Sequence, residues 1–444
     1  MIISQTTIEL KKYKEIRTKE ELYTHLQYAA IVELSTIPPY LTALYSLKDK
    51  TSKAFQIIRS VVMEEMLHLN LVCNLINAIG YKPQLVHPFP DPDRPGRTLP
   101  NKTISYPTNI PHHHKGGPFI VLMPASKTLM QNTFMAIEQP AKQNAPSEGD
   151  KFKTIGQLYA AIEEGFKKCV EIYGDGHNGL FKDDTECQHT KYYFGSSGGR
   201  AIKIKDLKTA LRACEEIKKQ GEGAPNPKNP ENWEEDFGYY EYYGDRQDGT
   251  YGPILGTPVE MSHYLKFKDM AEGKIPLGDV YPMMPNPHPD NFTHEHTKEL
   301  ASIFDGCYSM MLRTLELCFS RKKKPGSSEE REPDPFFTII VPLMKTIFPA
   351  VATRLMQLPV LPSGDANLGP NAGPCFEYTD QLDFETIREK VNELKSNLDR
   401  EIHQTASPDK ENSLLAFQQD IKSVQQSLDD MRDKMTGTFL IKSI

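Results

Sequence analysis

The chain has 444 residues, 38% of them hydrophobic and 25% charged, a soluble globular profile with ample material for a buried core. A formal net charge of -7 and a pI of about 6.0 give no electrostatic reason to expect nucleic acid or an anionic membrane as a partner. No run of about 18 apolar residues predicts a transmembrane helix, and the opening MIISQTTIELKKYKE has no apolar core of a secretion signal.

The first strong periodic segment is 19–48, with apolar positions at helical spacing through Tyr28, Ile31, Leu34, Ile37, Leu41, Leu44 and Leu47. Pro38 and Pro39 are expected to interrupt it, because a mid-helix proline removes a hydrogen bond. After the break KDKTS a second helix is predicted from about Ser52 to Ala78, with Gly80 as its stop signal, so the two form a hairpin. Prolines forbid regular structure over most of 81–118. A short strand is expected in FIVLM at 119–123 and a helix over 127–138. Further helices are read at 154–174 and 205–223, and another starts at about Pro258, in PVEMSHYLKFKDMAEG. Two long helices follow, about 296–321 and 336–357, separated by the charged linker RKKKPGSSEEREPDP. The tail, about 383–435, reads as charged helix with weak apolar positions at Ile387, Val391 and Leu394. It suits either a packed hairpin or an arm for homo-oligomer formation. The seven cysteines are scattered and never spaced CxxC, which argues against a disulfide framework or thiolate zinc site and suits a cytoplasmic setting. The fold class is mainly α.

The stretch VVMEEMLHLN at 61–70 buries two carboxylates and a histidine in an apolar run, which is costly unless something pairs with them. Glu65 and His68 are three apart and share one helix face. Glu260 and His263, in VEMSHY, repeat the spacing. Two such Glu-x-x-His motifs on helices are half of a carboxylate-bridged di-metal site, and the other half needs one glutamate from each of two further helices. Glu33 supplies the first. At roughly 1.5 Å per residue, Glu33 and Glu65 both lie about 24 Å from the turn of the hairpin and are therefore level. The fourth carboxylate has two candidates. Glu222, in KKQGEGAP, is separated from Glu260 much as Glu33 is from Glu65, and is preferred; Glu163, on the face of Tyr159, Phe166 and Val170, is the rival. Glu64 reads as a supporting or surface residue, the HHH at 112–114 as an exposed cluster, and YYEYY at 239–243 as loop packing. Tyr40 and Tyr264 are either core or neighbours of ligands.

The segments VELSTIPPYLTALYS, EEMLH, QGEG, EMSHYLKF and NAGPCFE, in that order over roughly 20–376, are together similar to the ferritin-like iminophenyl-pyruvate dimer synthase family. Its members include enzymes that couple two tryptophan-derived imines on the way to bis-indole pigments. The resemblance implies a ferritin-like four-helix bundle with long loop-rich insertions (81–153 and 224–257) in a domain ending near 376. The extra C-terminal helices of 377–444 form a charged extension outside it. It also implies metal ligands at Glu33, Glu65, His68, Glu222, Glu260 and His263.

Four carboxylates with two imidazoles suit two metal ions, iron or alternatively manganese. Two divalent ions would neutralise the four negative charges that otherwise could not be buried. The expected activity is a di-metal oxidase or oxygenase using dioxygen or peroxide on an amino-acid-derived or aromatic small molecule. The competing class is a ferroxidase or catalase-like protein with no organic substrate. A cavity of a few hundred Å³ beside the metals would separate the two, and the long insertions favour it. The prolines at 38–39, about one turn from Glu33, mark a place for a substrate path.

Overall fold

The computed structural model describes residues 15–86, 103–141, 145–149, 151–182, 187–190, 201–222, 239–241, 259–320 and 334–435. Helix α1 (Lys19–Ser46) starts at Thr18, whose side chain accepts from the Glu21 N–H while the Glu21 carboxylate accepts from the Thr18 N–H. The proline pair does not interrupt α1, contrary to expectation. Pro39 has no N–H to give the Ser35 carbonyl, and the Tyr106 hydroxyl donates to that carbonyl instead, at 2.9 Å. Helix α2 (Lys53–Ala78) is capped by Ser52. It ends where Gly80, at φ +89°, lets its own N–H reach Asn77 O (3.0 Å) and the Tyr81 N–H reach Ile76 O (3.2 Å).

Strands β1 (Thr108–Asn109) and β2 (Phe119–Ile120) pair antiparallel in the first insertion. The next helical stretch, α3, is composite: Lys127–Leu129, a π turn at Met130–Phe134, then Met135–Ile137. Helices α4 (Ile155–Tyr173) and α5 (Leu207–Gly221) match their predicted spans, with Thr154 and Asp206 as caps. Strands β3 (Tyr239–Glu241) and β4 (Val259–Met261) pair antiparallel, with Tyr240 opposite Glu260. The YYEYY segment is thus part strand. Ser262 then caps α6 (His263–Ala271). The helix expected from Pro258 therefore starts five residues late, because Val259–Met261 is drawn into a ladder and Ser262 accepts the Leu265 N–H.

Helix α7 (Glu295–Ser320) precedes two π turns (Phe336–Ile340 and Leu343–Ile347) that run into α8 (Phe348–Leu355). The chain closes with α9 (Phe384–Gln404) and α10 (Pro408–Lys434). By length and composition Phe336–Leu355 could cross a membrane, but more than half of it is buried against the rest of the chain, as in the core helix of a globular protein.

The α1–α2 hairpin is the centre of the molecule. On one side α1 packs on α4 and α2 on α5, and α4 packs on α5, which closes a four-helix bundle. On the other side α7 lies against α2 and α8 against α1, with the α9–α10 hairpin outside them. Being sandwiched, α1 is buried all round from Ala29 to Ser46. The two faces of the hairpin do different things. One carries carboxylates; the other is apolar.

Candidate metal centre

Four of the residues singled out in the sequence converge. Glu33 from α1, Glu65 and His68 from α2, and His263 at the first position of α6 are buried in the bundle, none more than 2% exposed. The His68 Nδ1 atom lies 3.5 Å from Glu33 Oε2 and 3.5 Å from Glu65 Oε1. The His263 Nδ1 atom lies 2.8 Å from the same Glu65 Oε1 and 3.7 Å from Glu138 Oε1. Two triads result, Glu33–Glu65–His68 and Glu65–Glu138–His263, which share Glu65. The imidazole rings are 5.5 Å apart and nearly parallel.

Glu138 is the residue sequence reasoning missed. It follows the last turn of α3, and Gly221 lies so close that a Cβ there would stand 3.1 Å from its carboxylate. Glu222, the preferred fourth carboxylate, faces elsewhere. It ends α5, and its oxygens accept the Gly156 N–H (2.6 Å) and the Ala141 N–H (3.3 Å). It thus ties the start of α4 to the chain just beyond Glu138, and burial pushes its pKa up to about 7. The rival Glu163 makes an ion pair with Lys218 at 2.8 Å and is in neither triad. The backbone of Glu260 lies in β4, so the spacing to His263 is not that of one helix face; its side chain is outside the described residues. The four-helix bundle also differs from the expected pairing. Its second pair, α4 and α5, supplies no carboxylate to the triads but supports them through Tyr159, Glu216 and Gln220.

Each triad carboxylate is oriented by one buried hydroxyl. Tyr159 donates to Glu33 Oε1 at 2.5 Å, Thr36 to Glu65 Oε2 at 2.6 Å, and Tyr40 to Glu138 Oε1 at 2.6 Å. Tyr40 is therefore a partner of the site and not core filler alone. The histidines are held from behind. His68 Nε2 donates to Gln220 Oε1 at 2.9 Å, and the Gln220 amide is fixed because its Nε2 donates to Glu216 Oε1 at 3.1 Å. His263 Nε2 donates to Glu64 Oε2 at 2.8 Å, and the Lys266 ammonium donates to the same oxygen at 3.1 Å. Glu64 is thus a buried support: burial opposes its charge, but Lys266 and His263 bring its pKa down to about 2.

These outer bonds call for a proton on each Nε2, so a neutral ring would present its Nδ1 lone pair toward the carboxylate oxygens. Lone pair facing lone pair repels unless a cation lies between. The His263 Nδ1 atom shows the mismatch directly: although 2.8 Å from Glu65 Oε1, it is buried with no hydrogen-bond partner among the described residues. Two positive centres fit this donor set. With protons alone available, the same field acts on the rings. Burial opposes it, yet Glu33 and Glu65 carry the pKa of His68 to about 10, and Glu138, Glu64 and Glu65 raise His263 well above its usual value. Burial, only partly offset by His68, raises Glu33, whereas the two histidines outweigh burial at Glu65 and hold it below the ordinary carboxylate range.

The histidines at 112–114 join no such triad among the described residues. His112 stacks on Tyr28 at 3.6 Å between centroids, and the Nδ1 atoms of His113 and His114 are 2.8 Å apart. A cavity of about 580 Å³ exists, but on the apolar face of the hairpin, between α1, α2, α7 and the 336–353 segment. None of Glu33, Glu65, His68, Glu138 or His263 lines it.

This arrangement, a bundle of paired helices around shared carboxylates and histidines, is of the ferritin type. A family model described as ferritin-like matches residues 26–272, more than half of the chain and every residue of both triads. The protein belongs to the ferritin-like family. Among solved structures it is similar to a ferritin-like protein from Caulobacter vibrioides, at 24% identity and a TM-score of 0.46, over 70% of this chain and 91% of that one. No curated protein matches the chain.

Proposed function

We propose that the protein is a di-metal oxidoreductase whose two ions, iron or manganese, are held by the two triads. Glu33, Glu65 and His68 would hold one, Glu65, Glu138 and His263 the other, with Glu65 between them. The observation that carries the reading is the pair of imidazoles that turn their Nδ1 atoms to a shared glutamate while outer acceptors hold Nε2. When bound, such ions supply one-electron chemistry with dioxygen or peroxide. The chain supplies the rest. Burial of both triads keeps bulk water away, with the most open member, Glu138, only 4% exposed. The hydroxyls of Tyr159, Thr36 and Tyr40 fix the carboxylates, and Lys266 balances the charge of Glu64 behind His263. Among the described residues, three triad carboxylates would serve the two ions; Glu222 is engaged with backbone N–H groups and is no part of this reading.

The substrate class we favour is an amino-acid-derived or aromatic small molecule, on the motif resemblance to the iminophenyl-pyruvate dimer synthases. One observation supports the competing reading, a ferroxidase or peroxide-consuming protein. The 580 Å³ cavity is separated from the triads by the hairpin itself, so an organic substrate there would not touch them. Anaerobic reconstitution with Fe(II), then dioxygen with and without candidate imines, tests both. Oxidation of iron that proceeds identically with and without imines, and leaves them unaltered, selects the ferroxidase reading. Failure to bind two ions per chain overturns the metal reading itself.

A further inference from the structure

The cavity on the other face of the hairpin asks for a ligand of its own, whatever the triads hold. Its wall is apolar and mixes aliphatic, thioether and aromatic side chains, among them Leu41 from α1, Met66 from α2, Met311 from α7, and Phe336, Met344 and Phe348 opposite. At one end it is cationic. Lys50, Arg59 and Lys345 line it there, and no Asp or Glu is among its described lining residues. Arg59 is steadied by Gln56, whose Oε1 accepts from Arg59 Nη1 at 3.2 Å while its own Nε2 donates to Lys50 O at 3.0 Å. Burial and then the nearby Arg59 charge lower the pKa of Lys345, as for two cations gathered at one place. From Arg59 to Asn70 along α2 the wall runs for about 16 Å, so the charged end and the far end are well separated.

Two further features mark this space as built to hold a molecule. Asn70 Oδ1 and Thr353 Oγ1 both belong to lining residues, both are buried, and neither has a hydrogen-bond partner among the described residues. Phe376, also in the lining, sits at φ +55°, a costly conformation for an aromatic residue. That turn is held by Asp305, buried beneath it, which accepts the Glu377 N–H at 3.1 Å. The strain sets the Phe376 ring edge-on to Phe304 and Tyr308. Strain of this kind persists where surrounding structure enforces it, as at ligand clamps.

We propose that this cavity binds a long-chain carboxylate, with its tail along the α1–α2 wall and its head at the Lys50–Arg59–Lys345 end. A volume of about 580 Å³ lies in the range of small-molecule sites. Apolar lining gives affinity to the chain, and the cations select the acid over the corresponding alcohol.

Calorimetric titration of the full chain with saturated fatty acids from octanoate to palmitate, and with hexadecanol, tests this. One palmitate per chain is expected, with affinity rising about fourfold per added methylene until the cavity is full. Joint Arg59→Gln and Lys345→Gln substitution should weaken palmitate about tenfold or more and leave hexadecanol unchanged. Leu41→Trp, which fills the wall, should abolish binding of both. No saturable palmitate binding, hexadecanol binding as tightly as palmitate, or binding that survives Leu41→Trp would each overturn the proposal. The glutamine pair lies outside the buried core, so it decides the head-group question even if Leu41→Trp does not fold.

Discussion

Replacing Glu138 by glutamine removes one negative charge from the triad around His263 and almost no volume. The amide oxygen can still accept from Tyr40, so the loss is electrostatic. Glu138 Oε1 is 3.7 Å from His263 Nδ1, close to where an ion would sit. At an effective dielectric near 20, unit charges about 4 Å apart interact by about 4 kcal/mol, which is roughly three decades of affinity. We expect Glu138→Gln to lower metal content from two ions per chain toward one, with affinity for the second ion weakened by about a thousandfold. Glu222→Gln is the control. It leaves an N–H facing an N–H at Gly156 or Ala141, which costs about 1–3 kcal/mol of stability, but keeps both ions. Elemental analysis after reconstitution, titration calorimetry with Mn(II), and circular dichroism separate loss of metal from loss of fold. If Glu222→Gln loses an ion and Glu138→Gln keeps both, the assignment of the second triad is wrong.

Tyr159→Phe deletes the hydroxyl on Glu33 and leaves a buried carboxylate oxygen short of a donor; a loss of about 1–3 kcal/mol should appear in the urea midpoint. Gly156→Ala places a Cβ 2.3 Å from the Glu222 carboxylate and should lower the melting temperature, while the double variant with Glu222→Ala should lose less than the two single losses added together. In the metal-free protein His68 titrates at about 10 instead of 6.5. Because its folded-state pKa is raised, its contribution is complete below pH 6.5 and is lost as pH rises through about 10. Melting temperature of the metal-free chain should fall over that window, and His68→Gln should flatten the fall; a parallel decline in both proteins would refute the cause.

The helices were legible because their signals are local. Thr18, Ser52, Thr154 and Asp206 all cap where the sequence pattern begins, and Gly80 ends α2 by its backbone freedom. That Glu33 and Glu65 are level followed from helix rise alone, and His68 came with them. Glu138 gave no such signal. It stands at the frayed end of a short helix broken by a π turn, with no histidine at helical spacing, and only the fold brings it to His263. Glu222 failed for the opposite reason: its spacing was attractive, but it is spent on two backbone N–H groups. Glu260 had attractive spacing too, but its backbone lies in a strand ladder ahead of the serine cap, and its side chain is outside the described residues. The outer partner Gln220 was beyond sequence reasoning because it depends on which helix faces meet, and for Glu64, read as a supporting or surface residue, only the fold decides for the buried support.

The two halves of the proposed centre are not equals in chain order. Glu33, Glu65 and His68 belong to a single hairpin, so their triad is complete as soon as residue 68 has left the ribosome and the two helices have met. The other triad must wait for Glu138 and then His263, almost two hundred residues later than Glu65. Since N-terminal parts of a chain fold first during synthesis, one half-site is mature while the other is still missing two of its three donors. An ion captured early would then act as a seed, and the arrival of α6 would close the nest around the second.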